Sequence, residues 1–109
     1  MLWRRLVNWK EEPLWRGTVF RLLVSKWPYE TPVDLMLVES LASPSGFGLL
    51  IVSGHKAGLR LLDLPASAKA QGKVEAISCA WLVKNWARKI YAPCPVERVR
   101  IISNYPPGV

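Results

Sequence analysis

The sequence has one histidine and two cysteines, and this scarcity excludes most arrangements that perform catalysis or hold a metal. Cys79 and Cys94 cannot form a disulfide framework, and neither belongs to a C-x-x-C pair. His55 is the single candidate base, and no nucleophile lies in a G-x-S-x-G elbow. One histidine and two distant cysteines do not make a metal site. We therefore expect no catalytic residue, metal or cofactor, with catalysis by His55 left open as an alternative.

Long apolar runs are also missing from the sequence. Runs such as Leu49-Leu50-Ile51-Val52 are far shorter than the about 20 residues of a membrane-spanning helix. The N-terminus has neither the apolar stretch nor the small-residue cleavage site of a signal peptide. We expect a cytoplasmic protein that has no membrane partner. A chain of 109 residues, half of them hydrophobic, has the size and composition of one folded domain over 1–109.

Positive charge, in contrast, is in excess. Fifteen Lys and Arg residues against eight Asp and Glu residues give a formal net charge of +7. Such a surface attracts acidic proteins and nucleic acids and accelerates their encounter. The basic residues are scattered in ones and twos, so no segment has the charge run of a nucleic-acid-binding arm. The charge predicts the sign of the partner's surface and leaves its class open.

The hydrophobic pattern predicts an α+β fold. Residues 79–90 repeat apolar side chains at three- and four-residue steps, which indicates an amphipathic helix with Ser78 as its N-cap. Turn residues separate the other apolar segments, so we predict an antiparallel sheet of about five strands with this one main helix packed on one face. A short helix is one interpretation of residues 1–12. The predicted strands are 16–25, 33–40, 47–53, 59–64 and 98–103.

Two glycine-containing segments raise the question of nucleic-acid or phosphate binding. Residues 45–48 partly match the main strand of the RNA-recognition motif, but Leu49 and Val52 replace the aromatic residues that stack on bases. Gly54 and Gly58 do not have the spacing of a phosphate-binding loop, and we interpret them as turn residues with positive φ. Nucleic-acid binding stays an alternative function because of the net charge of +7.

Six tryptophans are many for a chain of this length. Trp86 lies on the apolar stripe of the predicted helix and is therefore assigned to the core. Trp81 falls outside that stripe, and Trp27 lies in the predicted loop 26–32, which contains two prolines. Trp and Arg are the preferred anchors of protein interfaces. These tryptophans and the basic residues near them predict a surface that binds an acidic protein.

Seven segments, in their order and spacing, carry a family resemblance: RGTVFR (16–21), WPYE (27–30), MLV (36–38), GLLIVSGHKAGL (48–59), WLVKNW (81–86), YAPCP (91–95) and VERV (96–99). Together they resemble the immunity protein 45 family. The resemblance covers about residues 16–103, and the segment 1–15 matches nothing in it. It implies an immunity protein of a bacterial polymorphic or contact-dependent toxin system, which binds and neutralises a cognate toxin domain and so protects the producing cell.

The residue types also suggest where the partner is bound. We expect the C-terminal domain of the toxin to present an acidic surface to aromatic and cationic side chains on the loops and on the outer side of the helix. The oligomeric state is left open. The predicted partner-binding residues are Trp27, Lys56, Arg60, Trp81 and Arg88.

Overall fold

The computed structural model describes residues 3–10, 13–26, 31–72 and 75–104. Six strands form one antiparallel sheet with the order β1-β6-β2-β3-β4-β5. The strands are β1 (Arg4–Arg5), β2 (Val19–Leu22), β3 (Val33–Glu39), β4 (Phe47–Ile51), β5 (Arg60–Asp63) and β6 (Val99–Ile102). One α-helix, α1 (Cys79–Asn85), lies in the described ranges, and short 3-10 turns cover Leu6–Asn8, Ala66–Ala68 and Val96–Arg98. The predicted α+β class is confirmed.

The N-terminal segment differs from the prediction. Of the short helix predicted within residues 1–12, the structure has only the 3-10 turn Leu6–Asn8, and Arg4 and Arg5 instead pair with Ile101 and Arg100 as a strand at the edge of the sheet. A 3-10 turn then brings the fully buried side chain of Leu6 into the core. The segment thus adds a sixth strand to the five that the hydrophobic pattern predicts.

One face of the sheet carries the core. Opposed residues on neighbouring strands point to the same face, so Phe20, Leu35 and Ile101 form a continuous apolar layer. The helix packs on this layer through Trp86, whose ring centroid lies 6.0 Å from that of Phe20. Trp86 is fully buried, as the sequence predicts.

The helix begins and ends at identifiable signals. The side chain of Ser78 accepts a hydrogen bond from the Trp81 backbone N–H at 3.1 Å, which confirms the predicted N-cap. After Asn85 the helix widens into a π-helical turn over Trp86–Ile90, and the Tyr91 N–H donates to the Trp86 carbonyl at 3.0 Å. No helix in the described ranges is long and apolar enough to cross a membrane.

Candidate functional site

A small backbone ladder holds the segment that leads into α1. Leu14 and Ile77 exchange two backbone hydrogen bonds, of 2.8 and 2.9 Å. On the other side of Ile77, the Ala70 N–H donates to the Ala76 carbonyl at 3.0 Å, and the Ser78 N–H donates to the Ala68 carbonyl at 2.9 Å. The segment around Leu14, which is distant in sequence, is therefore fixed beside residues 68–70 and 76–78 at the start of the helix.

A groove lies along this ladder on one flank of α1. Its volume is about 540 Å³, which suits one or two side chains of a partner. Trp81 forms one wall and is half-buried against the core. We call this cavity the Trp81 groove; its lining residues are Pro13, Ser67, Lys69, Ala70, Gln71, Ser78 and Trp81.

A second groove of about 390 Å³ lies on the opposite flank of the helix. Trp9 and Val83 supply apolar surface, and Lys10 and Lys84 supply positive charge. We call it the Lys84 groove; its lining residues are Val7, Trp9, Lys10, Cys79, Ala80, Val83 and Lys84. Ala80 and Lys84 are the two exposed residues of α1, and both belong to this second lining.

The helix and the residues around it carry basic side chains without any acidic residue nearby in the sequence. From residue 76 to residue 96 the chain contains Lys84, Arg88 and Lys89 and no acidic residue. These three side chains are exposed, and so is Lys69 in the Trp81 groove. Within the described part of the chain, none of the four charged groups takes part in an ion pair. We call Lys69, Lys84, Arg88 and Lys89 the cationic helix face.

Other basic side chains are already paired inside the protein. Arg21 donates two hydrogen bonds to the buried carboxylate of Asp34, at 2.8 and 3.0 Å. The exposed Arg16 lies 3.2 Å from Glu39. The basic residues behind the net charge of +7 therefore fall into two groups. Some have an acidic partner within the protein, and others can pair with an acidic residue of a partner protein.

The four described residues among the five predicted partner-binding residues lie on two different parts of the fold. Trp81 lies in α1, and Arg88 lies in the π-helical turn that continues it. Lys56 is half-buried in the turn between β4 and β5, and Arg60 begins β5. Trp27 lies outside the described residues.

Arg60 differs from the helix cations because it has an acidic neighbour. Its Nη1 lies 3.2 Å from Asp63 Oδ1, and the same oxygen accepts a hydrogen bond from Ser40 Oγ at 3.0 Å. The turn before Arg60 contains Gly54 and Gly58 with φ of 73° and 97°, which agrees with the interpretation as turn glycines. A strand follows this turn, so the phosphate-loop arrangement is not present there.

Sequence reasoning missed Lys69 and Pro13 as parts of the site. The region 66–75 has the composition of a loop, and isolated bridges such as Lys69 with Ile77 leave no periodic signal. The absence of acidic residues from 76 to 96 is a signal that could have located the site.

The partial RNA-recognition match has a structural explanation. Phe47, its aromatic residue, is 2% exposed and belongs to the hydrophobic core. A ring in this position cannot stack on a base. Residues 45–48 therefore form a core strand and its turn, and they supply no base-binding platform.

The architecture is that of a small α+β protein with preformed surface grooves. Among the described residues, no three His, Cys, Asp or Glu side chains converge in a way that could hold a metal ion. The sequence model of the immunity protein 45 family matches residues 6–101. The chain belongs to the immunity protein 45 family, and the match begins before Arg16, where the resemblance in the sequence starts. Neither curated proteins nor solved structures give a match.

Proposed function

We propose that the protein is an immunity protein that binds a cognate toxin domain in the cytoplasm of the producing cell and neutralises it. Membership of the immunity protein 45 family supports this role. The protein acts as a stoichiometric inhibitor and not as an enzyme. The observation that carries the choice of surface is the cationic helix face, whose four charged groups have no ion pair in the described structure.

Physical chemistry favours this face for binding. Cations that lack an intramolecular partner can pair with an acidic partner without first breaking an ion pair. The half-buried Trp81 next to them offers a large contact area that loses little conformational freedom on binding. A specific interface buries on the order of 800 Å² on each side. The two grooves and the helix between them form a continuous part of such an area.

Binding would neutralise the toxin in one of two ways. The protein either covers the active site of the toxin domain or holds that domain in an inactive conformation. Its own positive charge argues against mimicry of a nucleic acid, because a mimic that fills the basic cleft of a nuclease needs an acidic surface. The toxin's contact surface is therefore expected to be acidic.

The direct test is calorimetry with the nuclease-treated protein and the C-terminal domain of the large secreted protein encoded immediately upstream. We expect a 1:1 complex of nanomolar affinity. We also expect that coexpression of the chain abolishes the toxicity of that domain. Absence of both binding and protection would refute the proposed function.

Nucleic-acid binding is the second candidate because of the net charge of +7. It predicts that the protein retains nucleic acid through purification and binds it with an affinity that falls steeply as salt concentration rises. Measuring the ultraviolet absorbance ratio before and after nuclease treatment separates the two candidates. Retained nucleic acid together with no binding to the toxin domain would favour this second function.

A further inference from the structure

We infer that the toxin domain straddles α1 and places an apolar side chain, with a carboxylate beside it, in each of the two grooves. This inference rests on the proposed function and adds the chemistry and the geometry of the partner. The occupant is an acidic segment of the toxin in which apolar residues and Asp or Glu alternate. Three observations support it: the positions of the two grooves, the hydrogen bonds that hold the Trp81 groove, and the charge of both grooves.

The grooves lie on opposite flanks of the same short helix. Ser78 and Trp81 line one groove, and Cys79 and Val83 line the other. The exposed Ala80, one turn before Lys84, belongs to the lining of the Lys84 groove and lies on the outer side of the helix. A methyl group at this position lets the backbone of a partner pass closely over the helix from one groove to the other.

The Trp81 groove is rigid before the partner arrives. Backbone hydrogen bonds of 2.8 to 3.0 Å fix the ladder on both sides of Ile77. The N-cap hydrogen bond of Ser78 fixes the first turn of the helix that bears Trp81. A site that is already ordered loses less entropy when it binds, which favours a specific partner over transient contacts.

Each groove combines an apolar wall with lysine. Pro13 and Trp81 accompany Lys69 in the first groove. In the second groove, Val83 and its neighbours accompany Lys10 and Lys84. This chemistry fits an apolar side chain flanked by carboxylates, and it repels a basic segment.

The test places a tryptophan in each groove in turn and compares the loss of affinity with that caused by a tryptophan at an exposed position outside both grooves. Ser67 is exposed at the Trp81 groove and Ala80 is exposed at the Lys84 groove, so Ser67→Trp and Ala80→Trp fill them one at a time. Ala57→Trp, in the exposed turn between β4 and β5, is the matched control. The binding of each variant to the upstream-encoded toxin domain is measured by calorimetry, and thermal unfolding verifies that each variant is folded.

We expect each groove variant to weaken binding by about 30-fold or more, as the loss of an interface anchor does. The control should stay within about threefold of the unmodified protein. If only one groove variant weakens binding, the straddling arrangement is wrong although the proposed function stands. If neither does, the site lies elsewhere. If the unmodified protein neither binds nor protects, the proposed function and this inference fall together.

Discussion

The helix side and the β4–β5 end of the molecule both display basic residues, but they differ in what surrounds those residues. At the β4–β5 end, Arg60 lies three positions before Asp63 and forms an ion pair with it at 3.2 Å. The segment 76–96, which contains three of the four residues of the cationic helix face, has no acidic residue, and none of the four forms an ion pair among the described residues. The positions of the acidic residues, more than those of the basic ones, decide where positive charge is available to a partner.

The two regions also differ in how the chain is held. The β4–β5 pairing brings backbone so close that a Cβ on Gly48 would lie 2.9 Å from Asp63 Oδ1 and 3.0 Å from the Leu62 carbonyl oxygen. The helix side leaves two grooves open beside α1. The chain is closely packed where Gly48 meets Leu62 and Asp63, beside the Arg60–Asp63 ion pair, and open grooves lie beside cations that have no ion pair among the described residues. This contrast supports assigning a structural role to the first region and binding to the second.

Replacing two basic residues by glutamate should produce the largest difference in toxin affinity between the two regions. We expect Lys84→Glu with Arg88→Glu to weaken binding to the toxin domain by about 100-fold, because two carboxylates would then face an acidic surface. Lys56→Glu with Arg60→Glu, which changes the net charge by the same amount, should weaken it far less. Calorimetry measures the affinities. Association rates at two salt concentrations measure how much electrostatic attraction accelerates the encounter with the toxin domain.

Equal losses in the two double variants would contradict the comparison. That outcome would mean that the partner responds to net charge as a whole, and that the helix cations have no special position in the complex. A larger loss in the Lys56 and Arg60 variant would place the interface at the β4–β5 end, where two of the residues predicted from the sequence lie.

A second variant tests the close packing at the β4–β5 end. We expect Gly48→Ala to lower the free energy of unfolding by about 1–3 kcal/mol, because the added methyl group meets an adjacent strand with no space to accept it. Chemical denaturation measures this change. In an Asp63→Ala background the penalty should shrink, since one of the two contacts is removed and the Leu62 carbonyl contact remains.

The outcome that would overturn this view is a Gly48→Ala variant as stable as the unmodified protein. The affinity of the folded protein for the toxin domain should be unchanged, because Gly48 lies in β4 and lines neither of the two grooves. A loss of affinity at constant stability would instead connect the β4–β5 end with binding.

The fold could be predicted where a local pattern repeats. The strands β3 and β4 alternate enough apolar residues to be recognised, and apolar spacing together with Ser78 predicts α1. The strand β1 escaped prediction because it consists of two exposed arginines, and its pairing depends on β6 at the other end of the chain. The π-helical turn also escaped, since a four-residue spacing of apolar residues fits a regular α-helix equally well.

The candidate site was predicted only in part, for a related physical reason. Aromatic and cationic residue types indicate Trp81 and Arg88 without reference to the fold. The Trp81 groove depends on isolated bridges that join Ile77 to Leu14 and to Lys69, and such contacts leave no periodic pattern in the sequence. Whether a cation is paired is likewise a tertiary property, with Arg60 and Asp63 as a local exception because they are three residues apart.

The smallest effect is expected from removing that local ion pair. In Asp63→Asn the side-chain oxygen that accepts from Ser40 is retained, but the negative charge that faces Arg60 is lost. The two side chains are 32% and 48% exposed, so solvent screens their attraction and the stability should fall by less than about 1 kcal/mol. Chemical denaturation measures this difference.

The same variant gives the sharpest comparison of the two regions, because it releases Arg60 and makes the β4–β5 end resemble the helix face in charge. If the acidic partner is bound at the cationic helix face, the affinity of Asp63→Asn for the toxin domain should stay within about threefold of the unmodified protein. A tenfold gain would show that Arg60 meets the partner once it is freed from Asp63. In that case the ion pair at the β4–β5 end would limit binding, and the availability of a cation would matter more than the groove beside it.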